Sequence, residues 1–420
     1  MEKVLKAAAP ISLKMNSVWN VAGSLLYTLT QWGLLVVLAK LGSAEMVGIF
    51  TLGLALTAPV MMLMRFNLRV AVASDSREDF KFQEYYTSRV VTTAVFLVVM
   101  TAIAFFYSEN SVMFGVILLL SVARGVESIG DILHGYLQKI GRLDLVAKSV
   151  MLKGAGSLII FTGLMVVFED LLLATAGMMI SWLLVLFFYD YKLTGQYTSF
   201  RFSFDRSTQK LIFRLSFPLG VALLVDSLVS NVPRYIIEHS YGVEALGFFA
   251  AIVYIIHAGG NVIYAISNAV MPQLSNDYQE FKFRNFLKLL GSLLLMIATG
   301  GAVASLLVGQ FGGEILTVVY SAEYAGLEHL FLLLMVGGVV KYMGKMVETG
   351  LFATREFHIQ PYINVVTLVL IGGLSLWLIP RYGLVGAAYA LMIAEGVQLV
   401  VRCGWLVFYL KKQNRKLRIV

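Results

Sequence analysis

The chain is a succession of long apolar runs separated by short polar segments. About 20 apolar residues suffice to cross the hydrocarbon core of a bilayer. Runs of that length predict twelve helices, over roughly 15–39, 46–64, 88–107, 112–137, 145–168, 170–190, 211–237, 245–270, 286–309, 327–352, 360–379 and 383–410. The fourth is interrupted by Arg124, Glu127, Asp131 and His134. The apolar stretch after Lys14 is too long for the centre of a cleaved signal peptide and lacks a small-residue cleavage site.

The polar positions orient these spans. With the N-terminus inside, 26 of the 33 Lys and Arg residues fall in cytoplasmic segments, among them Arg65, Arg69, Arg77, Lys81, Arg89 and Lys153. Only Lys40 and Arg381 fall outside, and Arg124, Arg234, Lys341, Lys345 and Arg402 lie within spans. Cytoplasmic loops carry the excess of Lys and Arg, so both termini are expected to be cytoplasmic. The expected organisation is an N-terminal six-helix lobe over 1–192, a cytoplasmic linker over 193–210, a C-terminal six-helix lobe over 211–410 and a basic tail over 411–420. The linker alternates aromatic and polar residues from Phe200 to Phe204, which suits a segment lying at the membrane interface. Glu45-Met46-Val47-Gly48-Ile49-Phe50 and Glu244-Ala245-Leu246-Gly247-Phe248-Phe249 open the second helix of each half. A parallel internal repeat follows, related by an axis along the membrane normal, and a cleft is expected between the lobes.

Composition sharpens the class. Of 420 residues, 59% are hydrophobic and 14% charged, and the mean hydropathy is +0.80. Soluble domains carry about 45–50% and about 25%, so a soluble enzyme, a disordered chain and a disulfide scaffold are excluded. The single Cys403 cannot form an intrachain disulfide. The net charge of +8 is spread along one membrane face, so the lipid bilayer is the expected partner and nucleic acid is not.

Charges inside apolar spans are the candidate chemistry, because each costs at least about 2.5–3.5 kcal/mol to place there. At 100° per residue, Arg124, Glu127, Asp131, His134 and Gln138 share an arc of about 80° on the fourth helix. Lys341, Lys345 and Glu348 share one face of the tenth, and Glu395, Gln398 and Arg402 one face of the twelfth. Asn16, Asn20, Tyr27 and Gln31 form a stripe on the first helix, and His257, Asn261, Tyr264 and Asn268 one on the eighth. Asp226 and Arg234 lie on the seventh. Two accounts stay open: the charges neutralise one another structurally, or they line a polar cleft. Arg65 and Arg69 read as ordinary membrane flanks, with Arg65 placed to reach the cleft. No phosphate-binding lysine loop, metal-ligand spacing or catalytic serine–histidine–aspartate context occurs, so neither catalysis, nor a metal site, nor an ATP-driven pump is expected.

Several short motifs carry a resemblance. Asn16-Ser17-Val18-Trp19-Asn20, Leu41-Gly42 to Gly48-Ile49-Phe50, Pro233-Arg234-Tyr235-Ile236-Ile237, Ala269-Val270-Met271-Pro272-Gln273-Leu274-Ser275 and Pro380-Arg381-Tyr382-Gly383-Leu384-Val385-Gly386-Ala387-Ala388 resemble bacterial polysaccharide flippases. These form the polysaccharide-transport branch of the multidrug/oligosaccharidyl-lipid/polysaccharide (MOP) exporter superfamily, whose cargo includes lipid-linked units of O-antigen, lipopolysaccharide, capsule and teichuronic type. The resemblance implies an all-α polytopic membrane protein of the bacterial inner membrane, with two six-helix lobes in a V. It implies a flippase that turns undecaprenyl-diphosphate-linked oligosaccharide units from the cytoplasmic to the periplasmic or outer leaflet by ion-coupled alternating access.

The implied diphosphate and sugar contacts are Arg124, Arg234, Lys341, Lys345, Arg65, Tyr27, Asn20, Asn261 and Tyr264. Arginine suits a diphosphate through its bidentate fork, and lysine serves as a point charge. Glu127, Asp131, Asp226, Glu348 and Glu395 are the candidates for coupling H+ or Na+, with no cofactor. Polysaccharide polymerase or assembly proteins are the implied partners beside the lipid-linked glycan. The equal count of five basic and five acidic residues within spans departs from a plainly cationic cavity. Three rivals stay open: a cation-coupled multidrug exporter of the same superfamily, a membrane enzyme acting on lipid-linked sugars, and a scaffold subunit of envelope polysaccharide assembly.

Overall fold

The computed structural model describes residues 12–75, 79–356 and 358–417; Arg77 and the end of the basic tail lie outside the described residues. The described residues are helical, with no strand among them. They form α1 (Leu13–Leu41), α2 (Ala44–Arg65), α3 (Leu68–Ser74), α4 (Phe82–Tyr107), α5 (Ser111–Lys139), α6 (Leu143–Phe168) and α7 (Leu171–Val185). α7 runs on through a π-helical turn, Leu186–Tyr191, and Lys192–Thr194. α8 (Arg206–Gln279), α9 (Phe283–Val319), α10 (Glu328–Ala353) and α11 (Gln360–Leu417) complete the chain. Ten helices among the described residues are long and apolar enough to cross a membrane.

Polar caps set where the apolar helices begin. The side chains of Ser43, Asn110 and Asp170 accept from the main-chain N–H groups of Met46, Met113 and Leu173 at 3.2, 2.8 and 2.8 Å, satisfying donors that have no partner within the helix. At the start of α8, Asp205 accepts from the amide of Thr208 and the hydroxyls of Ser207 and Thr208. Those bonds hold its carboxyl down at about 2.

The two longest helices each contain one break. At about 1.5 Å per residue they exceed any bilayer core of about 30 Å, and each bends at a glycine. Gly242 has φ 83° in α8 and Gly383 has φ 59° in α11, a region that side-chain-bearing residues avoid. The Tyr241 hydroxyl, beside the first break, donates to the carbonyls of Ile379 and Pro380, beside the second. Each overlong helix therefore holds two of the spans read from the sequence. The repeated hexads both open a helical stretch just past a glycine break, at Gly42 and at Gly242.

The chain divides into two compact units, Met1–Asn231 and Val232–Val420, with the division inside α8. In the first, α5 is central and packs against α2, α3, α4, α6 and α7, while α1 packs along α6. In the second, α10 packs against α9 and α11, around Phe286, Leu290, Met346, Val347, Leu351 and Leu406.

α3 is absent from the sequence reading. Phe66 and Asn67 adopt left-handed backbone, φ 47° and 53°, which ends α2 and turns the chain so that α3 lies against α5. Phe66 is buried, packing edge-on against Phe213 at 5.2 Å. Its burial offsets a backbone conformation that costs a non-glycine residue of order 1–2 kcal/mol.

α1 and α6 approach closely where Gly23 faces Ala147: a Cβ at residue 23 would stand 2.9 Å from Ala147 Cα. Gly23→Val should therefore push the helices apart and cost about 1–3 kcal/mol. Gly163→Val, at a position with no atom within 4 Å, should be close to neutral. Thermal unfolding of the two variants in detergent, followed by size-exclusion chromatography, checks the difference.

Candidate functional site

The polar arc on α5 is the organising surface of the first unit. Glu127 has both carboxylate oxygens engaged: Arg65, the last residue of α2, reaches Oε1 at 3.2 Å, and Arg124 reaches Oε2 at 2.7 Å. One turn on, Asp131 is shared in the same way. Arg69 of α3 donates to Oδ1 at 3.3 Å, and Arg89 of α4 lies 3.6 Å from Oδ2. Arg69 also donates to Gln138 Oε1 at 3.4 Å. Arg89 is fully buried, and its other end donates to Ser128 Oγ at 3.2 Å. Its Nε has no hydrogen-bond partner, nor has the buried Nε of Arg65.

Local geometry lets these groups meet. The break at Phe66–Asn67 places Arg65 before it and Arg69 after it. Gly135 makes room for α3, since a Cβ there would stand 3.0 Å from the Arg69 carbonyl oxygen. The result is a network of four guanidinium groups around two carboxylates, partly open to solvent at Arg65, Arg69 and Arg124.

Beside it lies a second, fully enclosed cluster. Lys153 of α6 holds Asp190 Oδ2 at 2.7 Å, and His134 of α5 lies 3.3 Å from Oδ1. Ser149 Oγ is 3.1 Å from the same imidazole nitrogen. All four side chains are buried. Asp190 sits on the π-helical turn, and Gly130 leaves space for the ammonium group: a Cβ there would be 2.7 Å from Lys153 Nζ.

In the second unit, Glu348 is shared between Lys345 and Arg402, each at 3.0 Å, and Lys341 lies 3.6 Å from Glu395. Gln398 donates to Thr367 Oγ1 at 3.1 Å. The buried Arg234 has its guanidinium 5.8 Å from the ring centre of Tyr254, an arrangement that favours a cation. Asn261 donates to the carbonyl of His257 at 3.2 Å. Tyr264 is exposed, as are Asn20 and Asp226. Tyr27 packs 6.3 Å from Trp182. The Asn16 side chain, read as part of the α1 stripe, instead closes the turn between α5 and α6, donating to the Gly141 carbonyl and accepting from the Leu143 amide.

Comparison with known proteins now decides the family. Residues 13–276 match the model of a family described as polysaccharide biosynthesis protein. The chain belongs to that family. It is 25% identical over 379 residues to the capsular polysaccharide biosynthesis protein CapF of Staphylococcus aureus, covering 90% of this chain and 95% of that one. It is 24% identical over 414 residues to a candidate O-antigen transporter of Shigella flexneri, covering 90% and 94%. Among solved structures, a multidrug resistance MATE transporter of the MOP superfamily superposes with a TM-score of 0.74 at 15% identity, over 97% of this chain and 96% of that one. The fold is thus that of the MOP superfamily, and the resemblance to its polysaccharide-transport branch is borne out. The chain is a multi-pass membrane protein of the polysaccharide biosynthesis family.

Several charged residues of these clusters are not among the candidates read from the sequence. Arg89 and Lys153 were counted with the cytoplasmic flanks, yet both are buried in helices and paired with acids. Arg69, read as a flank, is a member of the network. Asp190 was not singled out, although an acid within Phe187-Phe188-Tyr189-Asp190-Tyr191 at the end of an apolar span was a usable signal. With these restored, the parity of buried charges gives way in the α5 network to an excess of positive charge.

Breaking the enclosed pair tests its burial. Lys153→Met should cost about 3–5 kcal/mol by leaving Asp190 uncompensated. Lys153→Met with Asp190→Asn should recover much of that loss. Thermal unfolding of the single and double variants checks the order.

Proposed function

We propose that this chain is a flippase that carries undecaprenyl-diphosphate-linked oligosaccharide units from the cytoplasmic to the outer leaflet of the bacterial inner membrane by ion-coupled alternating access. Both termini lie in the cytoplasm in this reading, and residues 1–192 and 211–410 act as two lobes joined by 193–210. The observation that carries it is the α5 network, in which four guanidinium groups meet two carboxylates. A diphosphate supplies the anionic charge that this arrangement lacks, and guanidinium forks match its oxygens. Family membership and the relatives in capsule and O-antigen work support a glycan-bearing cargo.

The cationic candidates for the diphosphate are Arg65, Arg124, Arg234, Lys341 and Lys345. Tyr27, Asn20, Asn261 and Tyr264 serve the sugars. The candidate carboxylates for the coupling H+ or Na+ are Glu127, Asp131, Asp226, Glu348 and Glu395. A cationic drug as cargo is disfavoured by the guanidinium excess. Polymerase or assembly proteins would receive the product.

Each charge-assisted hydrogen bond to a phosphate contributes about 1.5–3 kcal/mol. Arg65→Ala, Arg124→Ala, Arg234→Ala and Lys341→Ala should therefore slow flipping by about tenfold or more, with membrane insertion unchanged. The measurement is flipping of a defined undecaprenyl-diphosphate-linked oligosaccharide in proteoliposomes. Wild-type rates in all four variants, or drug resistance conferred on a sensitised host, would sink the assignment.

A further inference from the structure

The enclosed cluster of His134, Lys153 and Asp190 takes no part in the substrate contacts proposed above. His134 lies on α5 one turn beyond Asp131, with Nε2 3.1 Å from Ser149 Oγ and 3.3 Å from Asp190 Oδ1. We propose that His134 Nε2 is a reversible proton-binding site and that coupling in this chain runs on protons rather than sodium ions. The coupling role rests on the transport reading above; proton binding itself does not.

Four of the five carboxylates named above, and Asp190, are engaged by cations belonging to the chain. Arg65 and Arg124 hold Glu127, Arg69 and Arg89 hold Asp131, and Lys153 holds Asp190. Lys345 and Arg402 hold Glu348, and Lys341 holds Glu395. A hard metal cation takes a shell of oxygen ligands, so a sodium ion at any of these would have to displace a tethered cation first. A proton on Asp131, Asp190 or Glu348 would leave the buried Arg89, Lys153 or Arg402 without its counter-charge, which is strongly destabilising.

The imidazole differs from all of them. It is compatible with burial when neutral, and an unperturbed imidazole changes charge at pH values between about 5 and 8. In the tautomer in which the Ser149 hydroxyl donates to Nε2, that nitrogen carries a lone pair and is the atom that takes the proton. Once protonated, Nε2–H donates to Asp190 Oδ1. One N–H bond forms, no other bond breaks, and the proton returns to water by the reverse step.

The cluster then changes from neutral to a single positive charge, because Asp190 faces two cations, Lys153 and His134. This turns the tie between α5 and the π-helical turn into a charge-assisted one and divides Asp190 between His134 and Lys153, and π-turns recur at functional sites. Asp131 and Glu127 lie one and two turns back along α5, so a shift of α5 at His134 is transmitted to the arginine network.

The charged groups on α5 and on the elements packed against it include Asp131 and Lys139 on α5 itself, Arg65 of α2, Arg69 of α3, Arg89 of α4, Lys153 of α6 and Asp190 of the π-turn. Lys192, beyond that turn, is exposed. Tyr136 and Tyr189 direct their hydroxyls to the carbonyls of Tyr197 and Leu145. Of these groups, only His134 has an ordinary midpoint near neutrality.

Histidine-labelled full-length protein in lipid nanodiscs, titrated by NMR, tests the proposal. One imidazole signal, absent from His134→Gln, should pass from the neutral to the doubly protonated form above about pH 4.5. If that variant fails to fold, the same signal is identified as the one that survives His239→Gln, His257→Gln, His329→Gln and His358→Gln in turn. A His134 signal that stays neutral down to about pH 4.5, well below its ordinary midpoint of about 6.5, would overturn the proposal. In proteoliposomes, a proton gradient should accelerate flipping of the undecaprenyl-diphosphate-linked oligosaccharide by wild type and not by His134→Gln, and a sodium gradient should accelerate neither. Sodium-driven flipping, or an unchanged proton response in His134→Gln, also overturns it. Absence of flipping in wild type with a titrating His134 would instead remove the transport reading and leave the proton site standing.

Discussion

A charge set among apolar helices has to meet its opposite, and the N-terminal unit is arranged around that requirement. α5 presents Glu127 and Asp131 one turn apart, and each is divided between guanidinium groups arriving from other elements or from the previous turn. The packing of α2, α3 and α4 against α5 follows the same lines as these ion pairs. Because four arginines share two acids, the network satisfies its carboxylates while keeping guanidinium capacity in reserve. That is the electrostatic state expected of a site that accepts an anion and releases it again.

Departures from ideal helix serve this arrangement. The left-handed pair Phe66–Asn67 divides what would have been one helix and turns Arg69 back toward α5. The π-helical turn carries Asp190 to a fully buried position against Lys153 and His134. Glycines at 130 and 135 admit an ammonium group and a helix backbone where a methyl group would collide. The C-terminal unit uses the same device once more, with Glu348 shared between Lys345 and Arg402. Its two sharp breaks, at Gly242 and Gly383, are linked through the Tyr241 hydroxyl.

Much of the fold was legible because the bilayer imposes a length scale that apolar runs must match. The break at Gly242 falls between two predicted spans, and that at Gly383 at the predicted start of the last. The polar arc on α5 was legible too, since helical periodicity alone puts Arg124, Glu127, Asp131, His134 and Gln138 on one side. The partners of that arc were less so. Arg89 and Lys153 lie close enough to span ends to resemble flanking charges, and hydropathy cannot distinguish a basic residue facing lipid headgroups from one facing a carboxylate. Asn16 failed in the opposite sense: a polar residue on a polar stripe proved to be a cap for a distant turn.

The linear pattern was thus sufficient for class, helical content and the helix faces on which chemistry resides, because these depend on composition and on a period of 3.6 residues. Which cation answers which acid depends on side chains brought together from helices far apart in the chain. Arg65, Arg69 and Arg89 converge on α5 only when three separate elements pack against it. Ion pairing falls off over a few ångströms, a distance that spacing along the chain does not encode. The excess of positive charge at the site therefore emerges from folding, while the membrane that encloses it was already written in the apolar runs.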